Sequence, residues 1–496
     1  MLNNNNNNNN GNNNNIDNNN SDNNNNNNNN DKNNNDNNKY SRLISREIST
    51  GRQKVNMCME QYDRMFRCYR EPNSPIDILH YKPAADETIN CNEHILTFVV
   101  FTRFDGVKLS QAEIAKQLGK VVKMSQMDGS AKNSNIIGGG SVGDRDDAAK
   151  FWNLMKQDKQ NQESFNWILS ASFAVCIDIN GETKWSKNYE DNLAHRGLYL
   201  LHGFGSNAMG LNRWYDMTIQ IIVSNDGTNG LCIEHSVAEG IVLINMVEYA
   251  MQFVKRNNNE AKMHDNLKIS HHYNFIGPYY QMLNHCYKNK LIFSMSNLAN
   301  DLNLQVLIFD GFGKEFIKSC QISPDGFVQL TMQLAYYRLH GHLVSTYESA
   351  SIRRFRYGRV DNIRAATPEA LLWVQAMLEK NKTQAEKQKL FVEAVKKQAE
   401  ITLENVTGYG IDNHLCALQS LAREEVQKVT TIPTINDTYL CYGPVAKDGY
   451  GCSYNIQPNS IIFAPSSFDS CPKTNAENFK KSLVDSLNDI QALIKQ

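Results

Sequence analysis

Between Thr218 and Lys255 the apolar pattern of this chain changes period, and that change constrains the fold more than any other feature. TIQIIV (Thr218 to Val223) and GLCIEH (Gly230 to His235) are short β-type runs. They flank Ser224-Asn225-Asp226-Gly227, whose Asn, Asp and Gly tolerate positive φ, so the spacing predicts a hairpin. VLINMVEYAMQFVK (Val242 to Lys255) then has the spacing of an amphipathic helix. His235 therefore falls at a strand exit. Glu239 and Gly240 follow it on a loop between strand and helix.

The same alternation recurs along the chain. HILTFVVF (His94 to Phe101), FAVCID (Phe173 to Asp178) and QVLIFD (Gln305 to Asp310) read as buried strands. Ser323-Pro324-Asp325 supplies a cap, a first-turn proline and an acid ahead of FVQLTMQLAYYRL, and Thr367-Pro368-Glu369 repeats that signal before ALLWVQAML. A further helical segment runs from about Thr383 to Val406 and closes at Gly408. With no repeat period, this is an α/β (α+β) chain rather than a solenoid or a bundle.

At 496 residues and 41% hydrophobic content, two domains fit better than one once the head of the chain is set aside. Residues 1–39 are almost all Asn, bury no apolar area and are expected to be part of a disordered tail over 1–41. No secretory h-region, transit pattern or membrane-length apolar run is evident, and the terminal Leu-Ile-Lys-Gln is no peroxisomal address. The formal charge of -1 gives no global field for nucleic acid, so any anion site must come from local clusters. Eleven cysteines without a C-x-x-C pair argue against a disulfide framework and a zinc site, which leaves a reducing, cytoplasmic setting and no metal.

Taken alone, a histidine at a strand end is more often a hydrogen-bonded structural residue than a catalyst. Glu239 adds a second reading. A carboxylate near an imidazole can orient it and support the imidazolium formed when the ring takes a proton, as a general base near neutral pH must. A simple salt bridge is the plain alternative. A metal is weaker still, since no third ligand lies nearby in sequence.

The wider context favours catalysis. NRWYD (Asn212 to Asp216), EHSVAEG (Glu234 to Gly240), GKEFIKSCQISPDGF (Gly313 to Phe327), TYESASIRRF (Thr346 to Phe355), GRVDNIR (Gly358 to Arg364), GIDNHL (Gly410 to Leu415) and YGPVAKDGYGCSYN (Tyr442 to Asn455) follow in one order. Together these blocks resemble the choline/carnitine acyltransferase family, from about Met57 to the C-terminus. The resemblance implies two similar CoA-dependent acyltransferase-type domains, here 42–278 and 279–496, with an active-site tunnel at their interface and the histidine at its middle.

It also implies roles. His235 would take the proton of an alcohol and return it to the CoA thiolate, with Glu239 orienting the ring and acetyl-CoA or CoA as co-substrate. Lys314 and Lys318 match lysines that meet the nucleotide end of CoA, and Asp325 matches the acid beside them; without the flanking block, two lysines four apart would read as a solvated face. Arg353 and Arg354 add charge nearby; RRFRYGR read alone could suggest nucleic acid, but an acyl-CoA or structural role ranks well above it. Carnitine enzymes of the family bind the carnitine carboxylate with Tyr, Ser, Thr and Arg at places that here read Tyr347, Ser349, Val360 and Asn413. Losing the hydroxyl and the guanidinium under-pairs a carboxylate by an amount on the order of several kcal/mol, so the resemblance implies choline, a small quaternary-ammonium alcohol. Tyr442, which alone would read as core, matches an aromatic near the ammonium, where cation–π attraction acts.

Two departures stand out. The family places a Ser-Thr-Ser-Gln segment before a Val-Pro to stabilise the oxyanion. Here Lys428-Val429-Thr430-Thr431 precedes Ile432-Pro433, after a stretch from Leu415 that is shorter than in the family; Thr430 is the candidate donor. A poly-Asn tract also stands where family members carry an additional N-terminal segment, so a short form or a part of a longer protein is expected. The leading expectation is a monomeric CoA-dependent O-acyltransferase acting on choline. A carnitine O-acyltransferase and an inactive acyl-CoA-binding homologue are the rivals.

Overall fold

The computed structural model describes residues 45–50, 53–81, 88–93, 96–101, 103–104, 107–127, 138–178, 186–256, 290, 293–423 and 441–495. The Asn-rich head of the chain and Thr430 lie outside the described residues.

The first half is built on a five-stranded sheet. Its order is Asn229–Ile233, Ile219–Ser224, Ala171–Asp178, Thr88–Glu93 and Leu96–Phe101. The three central strands run parallel, and each edge strand is antiparallel to its neighbour. The expected hairpin is present, with Ile221 opposite Leu231 and Gly227 at φ 86° in the turn. The amphipathic run after it forms the helix Gly240–Arg256, whose Val242 and Leu243 are buried beside Met65, Ile219 and Val237. At the end of the central strand Ala171–Asp178, Asp178 and Arg213 form a fully buried ion pair at 2.9 Å, completed by Tyr199 Oη and Asn212 Nδ2, which both donate to Asp178.

The second half is organised by the strand Ile461–Phe468, which pairs antiparallel with Gly451–Ile456, Leu302–Leu304 and Leu307–Phe309. Of the strand expected over 305–310 only Leu307–Phe309 forms, separated from Leu302–Leu304 ahead of it by a two-residue gap whose cause is chemical. Pro465 stands opposite the gap and has no N–H to donate; only its carbonyl is used, accepting from the Gln305 N–H at 2.9 Å. The helices Pro324–His340, Pro368–Leu378, Gln384–Val406 and Ala476–Ile494 pack around one large apolar cluster that includes Phe327, Trp373, Phe391, Phe463 and Leu487.

The helix starts follow their caps. Ser323 Oγ accepts from Gly326 N at 3.3 Å and Thr367 Oγ1 from Ala370 N at 3.0 Å. Thr383 and Glu386 form a reciprocal capping box, and Gly408 takes φ 87° just after the helix Gln384–Val406. The chain is therefore a mixture of helices and sheets, as its pattern predicted. None of the described helices is long and apolar enough to cross a membrane.

Candidate active site

His235 sits two residues beyond the strand Asn229–Ile233, on a loop pinned from several sides. Glu234 accepts from Arg70 Nη1 at 2.9 Å, Ser236 N at 3.0 Å and Ser236 Oγ at 2.7 Å. These bonds fix the backbone on either side of the ring. Glu239, immediately ahead of the helix Gly240–Arg256, donates its backbone N–H to Gln61 Oε1 at 2.8 Å. Gln61 in turn donates from Nε2 to the Gly358 carbonyl at 3.3 Å.

The residue after that glycine, Arg359, spans the loop. Its Nε donates to Glu239 Oε1 at 2.7 Å, its Nη2 to the His235 carbonyl at 2.8 Å, and its Nη1 to the Ser236 carbonyl. One planar fork thus holds a carboxylate and two backbone oxygens, a task that suits guanidinium geometry.

Glu239 Oε2 lies 3.7 Å from His235 Nε2, beyond hydrogen-bond range but close enough to favour an imidazolium. The Glu239 side chain is 1% exposed and that of His235 26%, so the acid is shielded while the ring remains reachable. Burial pushes the imidazole below its ordinary range; Glu239 opposes this, and Arg359 Nη2, 3.5 Å from Nδ1, adds to it. The ring is neutral at neutral pH, the state that can accept a proton.

His235 lines a cavity of about 1940 Å³. The cavity is long. Asp325 and His340, at opposite ends of the 17-residue helix Pro324–His340, both line it, and such a helix spans about 25 Å. Lys314 and Lys318, one turn apart on the helix Lys314–Ser319, line it near the Asp325 end. Tyr347, Ser349, Val360, Asn413 and Tyr442 line it as well.

Local bonds tie these last residues together. Glu348–Ser351 and Val360–Ile363 form a two-stranded antiparallel ribbon, and Ser349 Oγ donates to Tyr347 Oη at 3.2 Å. Asn413 Nδ2 donates to the Val360 carbonyl at 2.8 Å, so these two positions touch each other. Burial raises the Tyr442 phenol above its ordinary range, which leaves it a neutral aromatic wall. Asp325 is engaged from the protein side, accepting from Tyr454 Oη at 2.5 Å. Next to it, Glu348 is pushed well above the usual carboxylate range, first by burial and then by the Asp325 charge.

Of the proposed site residues, only Glu239 among those described does not line the cavity; it stands behind His235. Gln61, Glu348 and Arg359 were not singled out from sequence. Arg359 had a signal, since it lies inside the quoted GRVDNIR block. Among the described residues no group of three or more His, Cys, Asp or Glu is placed to hold a metal ion.

A shielded carboxylate, a reachable neutral imidazole and a long cavity with a lysine pair near one end define a site fit for proton-assisted group transfer. The family model described as "Choline/Carnitine o-acyltransferase" matches residues 35–485. A choline O-acetyltransferase of Danio rerio is 35% identical over 471 residues, covering 89% of this chain and 72% of that protein. The choline O-acetyltransferase of Homo sapiens is 35% identical over 472 residues, with 88% of this chain covering 61% of that longer protein. The carnitine O-acetyltransferase of Homo sapiens is 31% identical over 464 residues, covering 88% of this chain and 72% of that protein. The chain belongs to the choline/carnitine O-acyltransferase family, and is an acyltransferase.

Proposed function

We propose that this chain moves an acetyl group between acetyl-CoA and choline, with His235 as general base. The observation that carries the reading is the single cavity lined by His235, the Lys314–Lys318 pair and the Tyr347, Val360, Asn413 and Tyr442 wall. In the forward direction His235 takes the choline hydroxyl proton as the oxygen attacks the thioester carbonyl, then returns it to the departing CoA thiolate. Both substrates meet at one imidazole, so no acyl-enzyme is required. Glu239 and Arg359 keep the ring oriented, Lys314 and Lys318 meet CoA phosphates, and Tyr442 faces the quaternary ammonium. Thr430 is proposed as the oxyanion donor.

Division near residue 278, a monomeric state and a cytoplasmic location belong to the same proposal. The large apolar cluster drawn wholly from residues 307–493 supports the first, and the free thiols of Cys68, Cys176 and Cys232 support the last. Release of free thiol from acetyl-CoA, followed with choline and with carnitine, tests the function. Turnover is expected with choline; turnover with carnitine alone, or CoA binding without turnover of either alcohol, would overturn it.

A further inference from the structure

The histidine loop closes on itself through Glu234. Its Oε2 accepts from the Ser236 N–H at 3.0 Å and its Oε1 from Ser236 Oγ at 2.7 Å, so the residues on either side of His235 are bonded to each other. What holds Glu234 is Arg70, whose Nη1 donates to Oε1 at 2.9 Å. Arg70 belongs to the strand Cys68–Glu71, which is fastened to the segment just ahead of the hairpin. The Arg70 N–H donates to the Asp216 carbonyl at 2.9 Å, Thr218 Oγ1 donates to the Cys68 carbonyl at 3.0 Å, and the Glu234 N–H donates to the Thr218 carbonyl at 3.1 Å. Behind Arg70 the charges continue. Its Nε lies 3.3 Å from Asp77 Oδ2, and Arg145 donates to Asp77 from Nε at 3.0 Å, to Asp216 from Nη1 at 2.6 Å and to the Arg70 carbonyl from Nη2 at 3.3 Å. Arg70 is thus fixed at backbone and side chain alike where it meets Glu234.

We propose that Arg70 is a positioning residue for His235, acting through Glu234 to hold the turn that presents the ring to the cavity. This inference rests on the acyl-transfer reading and deepens it by adding a second anchor to the one Arg359 provides. Neither Arg70 nor Glu234 lines the cavity, so both act through the histidine. The Glu234 side chain is 7% exposed and that of Arg70 23%, so water cannot readily replace the guanidinium. A Glu234 left without its cation turns outward to hydrate, releases Ser236 and lets the ring swing. Alignment of the base is what kcat reports, whereas the cavity walls that meet CoA and the alcohol are untouched. Glu234 also bears on the ring by charge. The charged groups facing His235 are Glu239 and Glu234, which favour the imidazolium, and Arg359, which opposes it. Cys68, beside Glu234, is pushed up to about 11, chiefly by burial, and adds no charge at neutral pH.

The test compares the full chain with Arg70→Met, Arg70→Lys, Glu234→Gln and the Arg70→Met/Glu234→Gln double variant. It reads initial rates of thiol release, thermal melts, and the His235 ring titration by NMR of isotope-labelled histidine, assigned with His235→Ala. Folded Arg70→Met is expected to lose about a hundredfold in kcat, the cost of a reacting group displaced by roughly 1 Å, with KM for acetyl-CoA and choline within about twofold of the parent. Arg70→Lys keeps a cation at Glu234 and recovers most of that loss, and it carries the test if Arg70→Met does not fold. The double variant falls at most about threefold below Arg70→Met alone, because the two residues act as one unit. Glu234→Gln removes an anion, so the ring titrates lower than in the parent; a merely loosened loop would relieve burial and move it the other way. A folded Arg70 variant that keeps kcat but loses KM, a folded Arg70→Met within about threefold of the parent's kcat, losses that multiply in the double variant, or a ring that titrates unmoved or higher in Glu234→Gln overturns the proposal. The titration is read without turnover, so a ring that moves down as expected in a chain that transfers no acetyl group would refute the functional reading and leave this hold on His235 standing.

Discussion

Replacing Arg359 by Gln should disable the site more thoroughly than its distance from any substrate atom suggests. The guanidinium makes three bonds around the histidine loop, and its partner Glu239 is 1% exposed with Oε2 already lacking a hydrogen-bond partner. Removing the cation strands a buried carboxylate, a loss of about 3–5 kcal/mol of local stability. The loop will relax to hydrate that charge, and the His235 and Ser236 carbonyls lose their anchor. A shift of roughly 1 Å in a reacting group costs about a hundredfold in rate, so kcat/KM for thiol release should fall by about that factor. The pH profile carries independent information. Arg359 is one of the causes that lower the imidazole pKa and Glu239 raises it, so the variant's ring titrates higher and the acid limb of kcat/KM moves to higher pH. Arg359→Lys keeps the charge but loses the fork, and should fall between the two. Initial rates across the acid and neutral range, with thermal melts of each protein, make the measurement. A folded Arg359→Gln enzyme within about threefold of the parent, with its acid limb unmoved, would refute this reasoning.

Three further outcomes are expected. His235→Ala should abolish thiol release from acetyl-CoA and choline while leaving CoA affinity, measured by calorimetry, within about twofold of the parent, because the proposed base acts on the alcohol and not on the nucleotide. Lys314→Ala and Lys318→Ala should each raise KM for acetyl-CoA by about tenfold with little change in kcat, and the penalty should shrink as salt rises in a titration at fixed pH. His202 is largely buried with both ring nitrogens unpartnered, and burial pushes it down to about 4. The folded chain therefore excludes a proton that the unfolded chain accepts, so stability falls as pH drops from about 6.5 toward 4, by roughly 3 kcal/mol in all. Denaturant melts of the parent and of His202→Leu at neutral pH and near pH 4.5 should show the gap between them closing or reversing at the lower pH.

What could be read from sequence was what depends on near neighbours. The caps at Ser323 and Thr367 act over three residues, and the turn at Ser224 to Gly227 over four, so spacing and residue type suffice. The strand over 305–310 was misjudged in extent because the gap at its start, between Leu304 and Leu307, is imposed by Pro465, far along the chain. The site divides the same way. His235 and Glu239 are four residues apart and announce each other, whereas Arg359 reaches Glu239 across 120 positions and Gln61 reaches Glu239 across 178. A single arginine in a basic stretch has many uses, and only the fold says that this one sits against a buried acid. Glu348 is a still harder case, since nothing in TYESAS separates an exposed glutamate from one pressed against Asp325 until the helix Pro324–His340 and the ribbon Glu348–Ser351 are brought together. Local rules thus find the histidine, but the groups that set its orientation and charge come from distant segments. The electrostatic state of His235 is therefore a property of the assembled molecule, and the Arg359 profile probes that assembly directly.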